Sequence, residues 1–391
     1  MPSQPLNAIR NSKISKDLWG NITNRHILMV VSLYVLLILL IENRYDYAEY
    51  GRQWQFFLAG GNPWDYASNA YGPLHNSMAF IYDIHHKLPR LLFSLLSVAG
   101  SVFLIKKINR TVLDKDVKEK SFYLLLYNPI VWLMFVINGC NDGLIGFLFL
   151  FGVVLYDKEK YVLSALLLSL AILYKYIPLF VIPILCINSR RINFRFTLST
   201  VAFLGMGFGI SFYLWGTKFL NPILFNSSRE SKILSIFRYL RGDYSFLKLF
   251  GIDNVDHLSI YLVIGSVILI FIVQLVYRWH WIVGLVVTML SIHLFYLVGH
   301  FQFYISIYFL LFFYLYKFSY SIGTHELKRI LLSLYWIAAT TLLYGITEGF
   351  YKRFAIIREF IGLPHFIILL LTLISIVSME RNKVDTQRVM K

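Results

Sequence analysis

Asp46 is the side chain in this sequence best placed to move a proton. It lies five residues beyond an apolar run, Ile27 to Ile41, near the head of the stretch Glu42 to Ser77, ENRYDYAEYGRQWQFFLAGGNPWDYASNAYGPLHNS. Ionisable groups just past a membrane span settle at the water interface, because burying each in hydrocarbon costs about 3 kcal/mol. A carboxylate held there can accept the proton of an attacking hydroxyl that comes within hydrogen-bond reach. An acid in this position can equally do no more than end the helix. Glu42 and Glu49 flank it on adjacent turns.

Three polar breaks elsewhere carry the other chemistry-bearing groups. Asp142 closes the turn Asn138-Gly-Cys-Asn-Asp142-Gly143, where Asn, Asp and Gly are also favoured for backbone reasons alone. Lys175 heads Lys-Tyr-Ile-Pro178 between two short apolar legs. A lysine there needs a partner, an anion or a route to water, or else snorkels to the surface. His300 and Gln302 interrupt two very apolar runs in Gly299-His-Phe-Gln302, as ligand-binding groups or as interfacial packing. The segment 216–256 adds Arg229, Lys232, Arg238 and Arg241. Arginine suits phosphate because its planar fork donates two bonds at once, although lipid headgroups satisfy it too.

These groups must be positioned by membrane helices. Of 391 residues 58% are hydrophobic and 15% charged, and the mean hydropathy is +0.62. That composition excludes a soluble domain of this size and predicts an all-α polytopic bundle. About 12 apolar runs between residues 27 and 379 give about 12 spans, several of them short enough to be tilted or half-length. They form one integral membrane unit over 1–391, with a first outer loop at 42–87 and a long outer loop at 216–256. In the first loop Trp54, Phe57 and Leu58 fall at i, i+3 and i+4, one face of a short interfacial helix that Gly60, Gly61 and Pro63 stop. Trp64, Tyr66 and Tyr71 suit an interfacial aromatic belt.

The net charge of +16 reads as membrane topology and not as a nucleic-acid footprint. With the N-terminus in the cytoplasm, 23 of the 37 Lys and Arg fall on inner segments, and six of the rest lie in the one long outer loop. The same rule divides 161–187 into two short legs, which keeps Arg190, Arg191 and Arg195 inside and puts Lys175 at an outer tip. Both termini are then cytoplasmic. The first run lacks a small-residue cleavage site and reads as a retained span. Cys140 and Cys186 fall near opposite faces, so no disulfide joins them, and no Cys/His cluster has metal-ligand spacing.

The order of these motifs resembles the polytopic GT-C glycosyltransferases, nearest to the polyprenol-phosphate-mannose-dependent mannosyltransferases. These include the catalytic subunit of glycosylphosphatidylinositol mannosyltransferase I and bacterial relatives. The matching stretches are Asp46-Tyr47, Gly61-Asn-Pro-Trp64, Tyr71-Gly-Pro-Leu74, Tyr127-Asn-Pro129 with Asn138-Gly-Cys-Asn-Asp142, Leu173-Tyr-Lys175-Tyr-Ile-Pro178 and Gln302-Phe-Tyr304. The order holds from residue 42 to about 316. Family members often carry Asp-x-Asp in the first loop; here the partner position is Arg44. That counts against a metal-holding acid pair, though not against a divalent cation as such.

The resemblance implies a GT-C-like bundle that transfers a sugar, mannose first, from a polyprenyl-phosphate donor to a glycan or glycolipid acceptor. Asp46 would be the base. Lys175, Asp142, Arg229, Lys232, Arg238, Arg241, His300 and Gln302 would bind substrate, with Trp54, Trp64 and Tyr71 stacking on sugar or seating lipid. The expected setting is a bacterial inner membrane, with the site on the periplasmic face. An O-antigen-type polymerase or ligase is the rival enzyme. A transporter fits less well, because the ionisable residues gather at one face and no halves repeat.

Overall fold

Hydrocarbon offers backbone groups no partner, so the apolar runs close their own hydrogen bonds as helices. The computed structural model describes residues 6–43, 45–66, 69–188, 191–223, 234–240, 258–348 and 360–389. All of the apolar runs coincide with helices or short helical legs. Six of these are long and apolar enough to cross a membrane: Thr23–Leu40, Leu88–Ile108, Lys115–Ile137, Phe194–Ile223, Leu258–Tyr277 and Gly362–Arg381. Tyr161–Tyr174, Trp281–Phe295 and Phe301–Lys317 are shorter apolar helices. The protein is therefore a membrane-embedded all-α bundle.

In chain order the helices are α1 (Leu6–Leu40), α2 (Tyr45–Leu58), α3 (Pro73–Asn76), α4 (Met78–Ile84), α5 (Leu88–Ile108), α6 (Lys115–Leu126) and α7 (Asp142–Asp157). There follow α8 (Tyr161–Tyr174), α9 (Ile182–Leu185), α10 (Phe194–Trp215), α11 (Phe237–Leu240), α12 (Leu258–Tyr277) and α13 (Trp281–Phe295). The last three are α14 (Tyr304–Lys317), α15 (Thr324–Glu348) and α16 (Gly362–Val389). A π-helical stretch, Ile130–Ile137, continues from α6 past Pro129. Proline has no N–H to give, and the Asn128 side chain accepts from Ile130 N at 2.9 Å as the helix restarts with a wider turn.

The core is built on the short helices. Residues Trp281–Leu294 of α13 and Tyr304–Leu315 of α14 are buried on every side. Helix α14 packs against α5 and α7, and its approach to α7 depends on Gly146, where a Cβ would stand 2.9 Å from Ile305. Helices α10 and α12 lie at the periphery and leave most of their apolar surface outward, as lipid-facing helices do.

The segment 161–187 is two legs. Helix α8 ends at Lys175, whose backbone is extended, and a 3₁₀ turn, Ile177–Val181, leads into α9. Lys175 meets Asp142 at the start of α7, whereas Leu185 O accepts the Tyr156 hydroxyl at 2.7 Å near the end of α7. The second leg therefore runs back along α7 to the opposite end. There Gln274 Nε2 donates to Ile184 O at 3.1 Å, and a two-residue antiparallel hairpin pairs Ile187 with Ile192.

The loop helix differs from the sequence expectation. It runs over Tyr45–Leu58, and its inward face is Tyr47, Tyr50 and Trp54. Phe57 is half-buried and Leu58 exposed. The i, i+3, i+4 set read from Trp54 onward missed the tyrosines one and two turns earlier. Those rings pack edge-on against Trp54, Tyr71 and His75 at centroid distances of 5.1–5.9 Å, which anchors that face inward.

Candidate active site at one end of the bundle

Asp46 sits exposed in the first turn of α2, where a carboxylate complements the unpaired N–H groups of the helix start. Gln302 Nε2 donates to its Oδ2 at 3.3 Å, and the Cys140 thiol donates to the same oxygen at 3.8 Å. Oδ1 takes neither bond. Three segments separated by up to 256 residues thus converge on one carboxylate.

Arg90 sets this convergence. It stands buried at the start of α5 and donates to Ile41 O and Glu42 O past the end of α1, and to Val136 O and Ile137 O at the end of the π-helical stretch. Those carbonyls have no helical partner, so one guanidinium caps two helix ends and ties together the loops that carry Asp46 and Cys140. Tyr47 adds a second tie: its hydroxyl donates to His86 O at 2.6 Å and accepts from Arg90 N at 3.3 Å. Gly139 lets the 138–141 loop cross this ring. Its φ is +69°, and a Cβ there would meet Tyr47 at 2.7 Å.

Beneath Asp46 lies a buried ion pair. Lys175 Nζ donates to Asp142 Oδ1 at 2.6 Å, with side chains 7% and 5% exposed. The ammonium also stands 3.6 Å from the Phe303 ring centroid and 5.5 Å from that of Tyr71. The Lys175 charge is therefore shared between a carboxylate and two aromatic faces. Tyr71 shares a 2.6 Å hydrogen bond with Tyr50. Burial, followed by the charges of Asp46 and Asp142, pushes its hydroxyl well above the usual range and keeps it protonated.

The rest of the first loop braces these residues. Trp54 is fully buried and donates its indole N–H to His75 O at 3.1 Å. Trp64 donates to Tyr71 O at 3.3 Å and packs edge-on against Trp215 at 5.3 Å. Gly72 N donates to Tyr174 O at 3.0 Å, which docks the loop on the end of α8 one residue before Lys175. His75 is buried, and its Nδ1 lies 3.1 Å from the Asn141 amide nitrogen and 3.4 Å from the Tyr174 hydroxyl. The amide can only donate there, so Nδ1 is unprotonated. Burial, and then the Lys175 charge, hold the His75 pKa down at about 3.

Of the residues singled out from sequence, Asp46, Asp142, Lys175, Gln302 and Tyr71 form one cluster. His300 is half-buried beside it, its ring edge-on to Phe303 at 5.6 Å. Arg238 is half-buried on α11, in a segment laid against the same break: Leu234 N donates to Gly299 O at 3.3 Å and the Ser235 hydroxyl to Tyr296 O at 3.0 Å. Arg44, Arg229, Lys232 and Arg241 lie outside the described residues. Among the described residues, no group of three or more His, Cys, Asp or Glu side chains is placed to hold a metal ion. Sequence reading did not select Cys140, His75, Asn141 or Arg90. The one available signal was Arg90 itself, an ionisable group at the start of a span, where such residues need a specific partner.

Next to Lys175 a cavity of about 130 Å³ opens between the second leg of the hairpin and α12. It is walled by Ile177, Phe180, Ile260 and Leu297, and Lys175 is the charged side chain among its lining residues. A polar cluster thus stands at one end of the membrane bundle, with an apolar recess beside it.

The model of glycosyltransferase family 87 matches residues 84–299, more than half of the chain, and the chain belongs to that family. The match covers Arg90, the 138–142 turn and Lys175. No curated protein matches the sequence. The protein is a membrane-embedded glycosyltransferase.

Proposed function

We propose that this enzyme transfers a sugar, mannose first, from a polyprenyl-phosphate carrier to a hydroxyl of a glycan or glycolipid acceptor, with inversion, at the extracytoplasmic face. The observation that carries this reading is the Asp46 carboxylate, exposed, fixed through Oδ2 by Gln302 and Cys140, and set above the buried Asp142–Lys175 pair. Oδ1 is then the atom that takes the acceptor's proton as the acceptor oxygen attacks the anomeric carbon. The bond from that carbon to the phosphate oxygen breaks, and polyprenyl phosphate leaves.

Charge grows on the phosphate as that bond breaks, so cations aimed at it lower the barrier. Arg238, Arg229, Lys232 and Arg241 are the cations assigned to this task, because Lys175 is engaged with Asp142. Lys175 contributes at longer range and keeps the Asp142 carboxylate balanced beneath the base. Tyr71, Trp64 and His300 border the sugar subsite, while Trp54 supports it from within the loop. The recess beside Lys175 supports a lipid-linked donor, which reaches it sideways from the bilayer.

The test is sugar transfer by the purified protein, using radiolabelled polyprenyl-phosphate mannose and a crude lipid and glycan extract as acceptor. The Asp46→Asn variant is expected to lose at least about 100-fold in rate, the lower range for a general base. Equal rates in the variant and the parent would remove Asp46 from that role. Transfer from a nucleotide sugar and not from the lipid-linked one would overturn the donor assignment.

A further inference from the structure

A second cavity lies away from the candidate active site. It measures about 680 Å³ and lies between α12, α13 and α16, within the size range of ligand sites. Helices α12 and α16 both pack against α13 but not closely against each other, so α13 forms the floor and the two helices form the walls. The walls are apolar, with Leu269 and Val273 from α12 and Leu373 and Val377 from α16. Leu269 is 61% exposed, which places the open side toward lipid. The recess beside Lys175 begins near the other end of α12, at Ser259 and Ile260, so the two sites are separate.

One end of this groove is chemically different. Arg381, exposed on α16, lines it together with Trp279 and Tyr277. Neighbouring Glu380 does not line it; its Oε1 accepts from His280 N at 3.4 Å. Arginine with Trp and Tyr at a span end marks the headgroup level of a bilayer. The groove runs from Ser266 to Tyr277 on α12 and from Leu370 to Arg381 on α16, twelve residues and so eleven rises in each case. At about 1.5 Å per residue that is about 16 Å, the depth of one leaflet of a hydrocarbon core about 30 Å thick.

We propose that this groove binds one phospholipid with an anionic headgroup, its acyl chain between α12 and α16 and its phosphate on Arg381. The one-leaflet length and the cationic end both fit a leaflet phospholipid. A long polyprenyl chain would extend beyond the groove.

The test is native mass spectrometry of the purified full chain titrated with dioleoylphosphatidylglycerol or dioleoylphosphatidylcholine. The parent should retain one phosphatidylglycerol in preference to phosphatidylcholine. Arg381→Gln should reduce that preference about 5-fold, the worth of one arginine near an anionic headgroup. Leu373→Trp, which fills the groove and leaves Arg381 in place, should abolish retention, with an unchanged melting temperature as the folding control. Equal retention of the two lipids by the parent would overturn the proposal. So would binding that neither variant alters, or displacement of the bound lipid by polyprenyl phosphate at equal concentration.

Discussion

Removing the ammonium of the Asp142–Lys175 pair strands a carboxylate in a place that water does not reach. At 2.6 Å the mutual attraction is about 6 kcal/mol for an effective dielectric of about 20. Desolvating each ion costs several kcal/mol, so the intact pair adds little net stability. Breaking it is different. Lys175→Met leaves Asp142 with its Oδ1 partner gone, while Oδ2 has no hydrogen-bond partner among the described residues to begin with. The expected loss is about 3–5 kcal/mol, or about 5 °C in apparent melting temperature for a chain of 391 residues. The double variant Asp142→Asn, Lys175→Met removes both charges and should regain most of that loss. The assay is thermal unfolding in detergent of the parent, both single variants and the double variant, read as a double-mutant cycle. Because the proposed reaction also uses the Lys175 charge at longer range on the leaving phosphate, sugar transfer should stay depressed in the double variant although it folds. Additive losses below about 1 kcal/mol per substitution would refute the reasoning, since such losses are those of an exposed pair.

His75 gives a pH signature. Its folded-state pKa of about 3 lies below the unfolded value of about 6.5, so the unfolded chain takes up a proton first as pH falls. The group's contribution is fully present above pH 6.5 and is lost toward pH 3, at up to about 1.4 kcal/mol per pH unit. Comparing the pH dependence of unfolding in the parent and in His75→Gln checks this; equal slopes between pH 6.5 and 4.5 would contradict it. Gly139→Ala adds a Cβ 2.7 Å from Tyr47 at a φ of +69°, so it should displace the Cys140 loop and cost about 1–3 kcal/mol. Thermal unfolding measures that cost, and alkylation of Cys140, buried in the parent, should become faster.

The sequence by itself determined the elements and the chemical inventory. Lipid leaves a run of apolar residues only one way to satisfy its backbone, so composition and run length suffice to write down the helices. Charged or amide groups are costly inside such runs, so Asp46, Asp142, Lys175 and Gln302 stand out at the breaks without any structure. The tertiary structure decided which breaks meet. Nothing local to Cys140 says that its thiol points at a carboxylate 94 residues earlier, and nothing local to Arg90 says that it caps two helices at once. The buried face of α2 was misread for a similar reason. Several registers of an aromatic-rich helix satisfy the periodicity, and only the partner rings of Tyr71, His75 and Tyr82 choose among them. The groove between α12 and α16 is likewise invisible in sequence. Both helices read as ordinary apolar spans, and the space between them exists because each packs on α13 and not closely on the other.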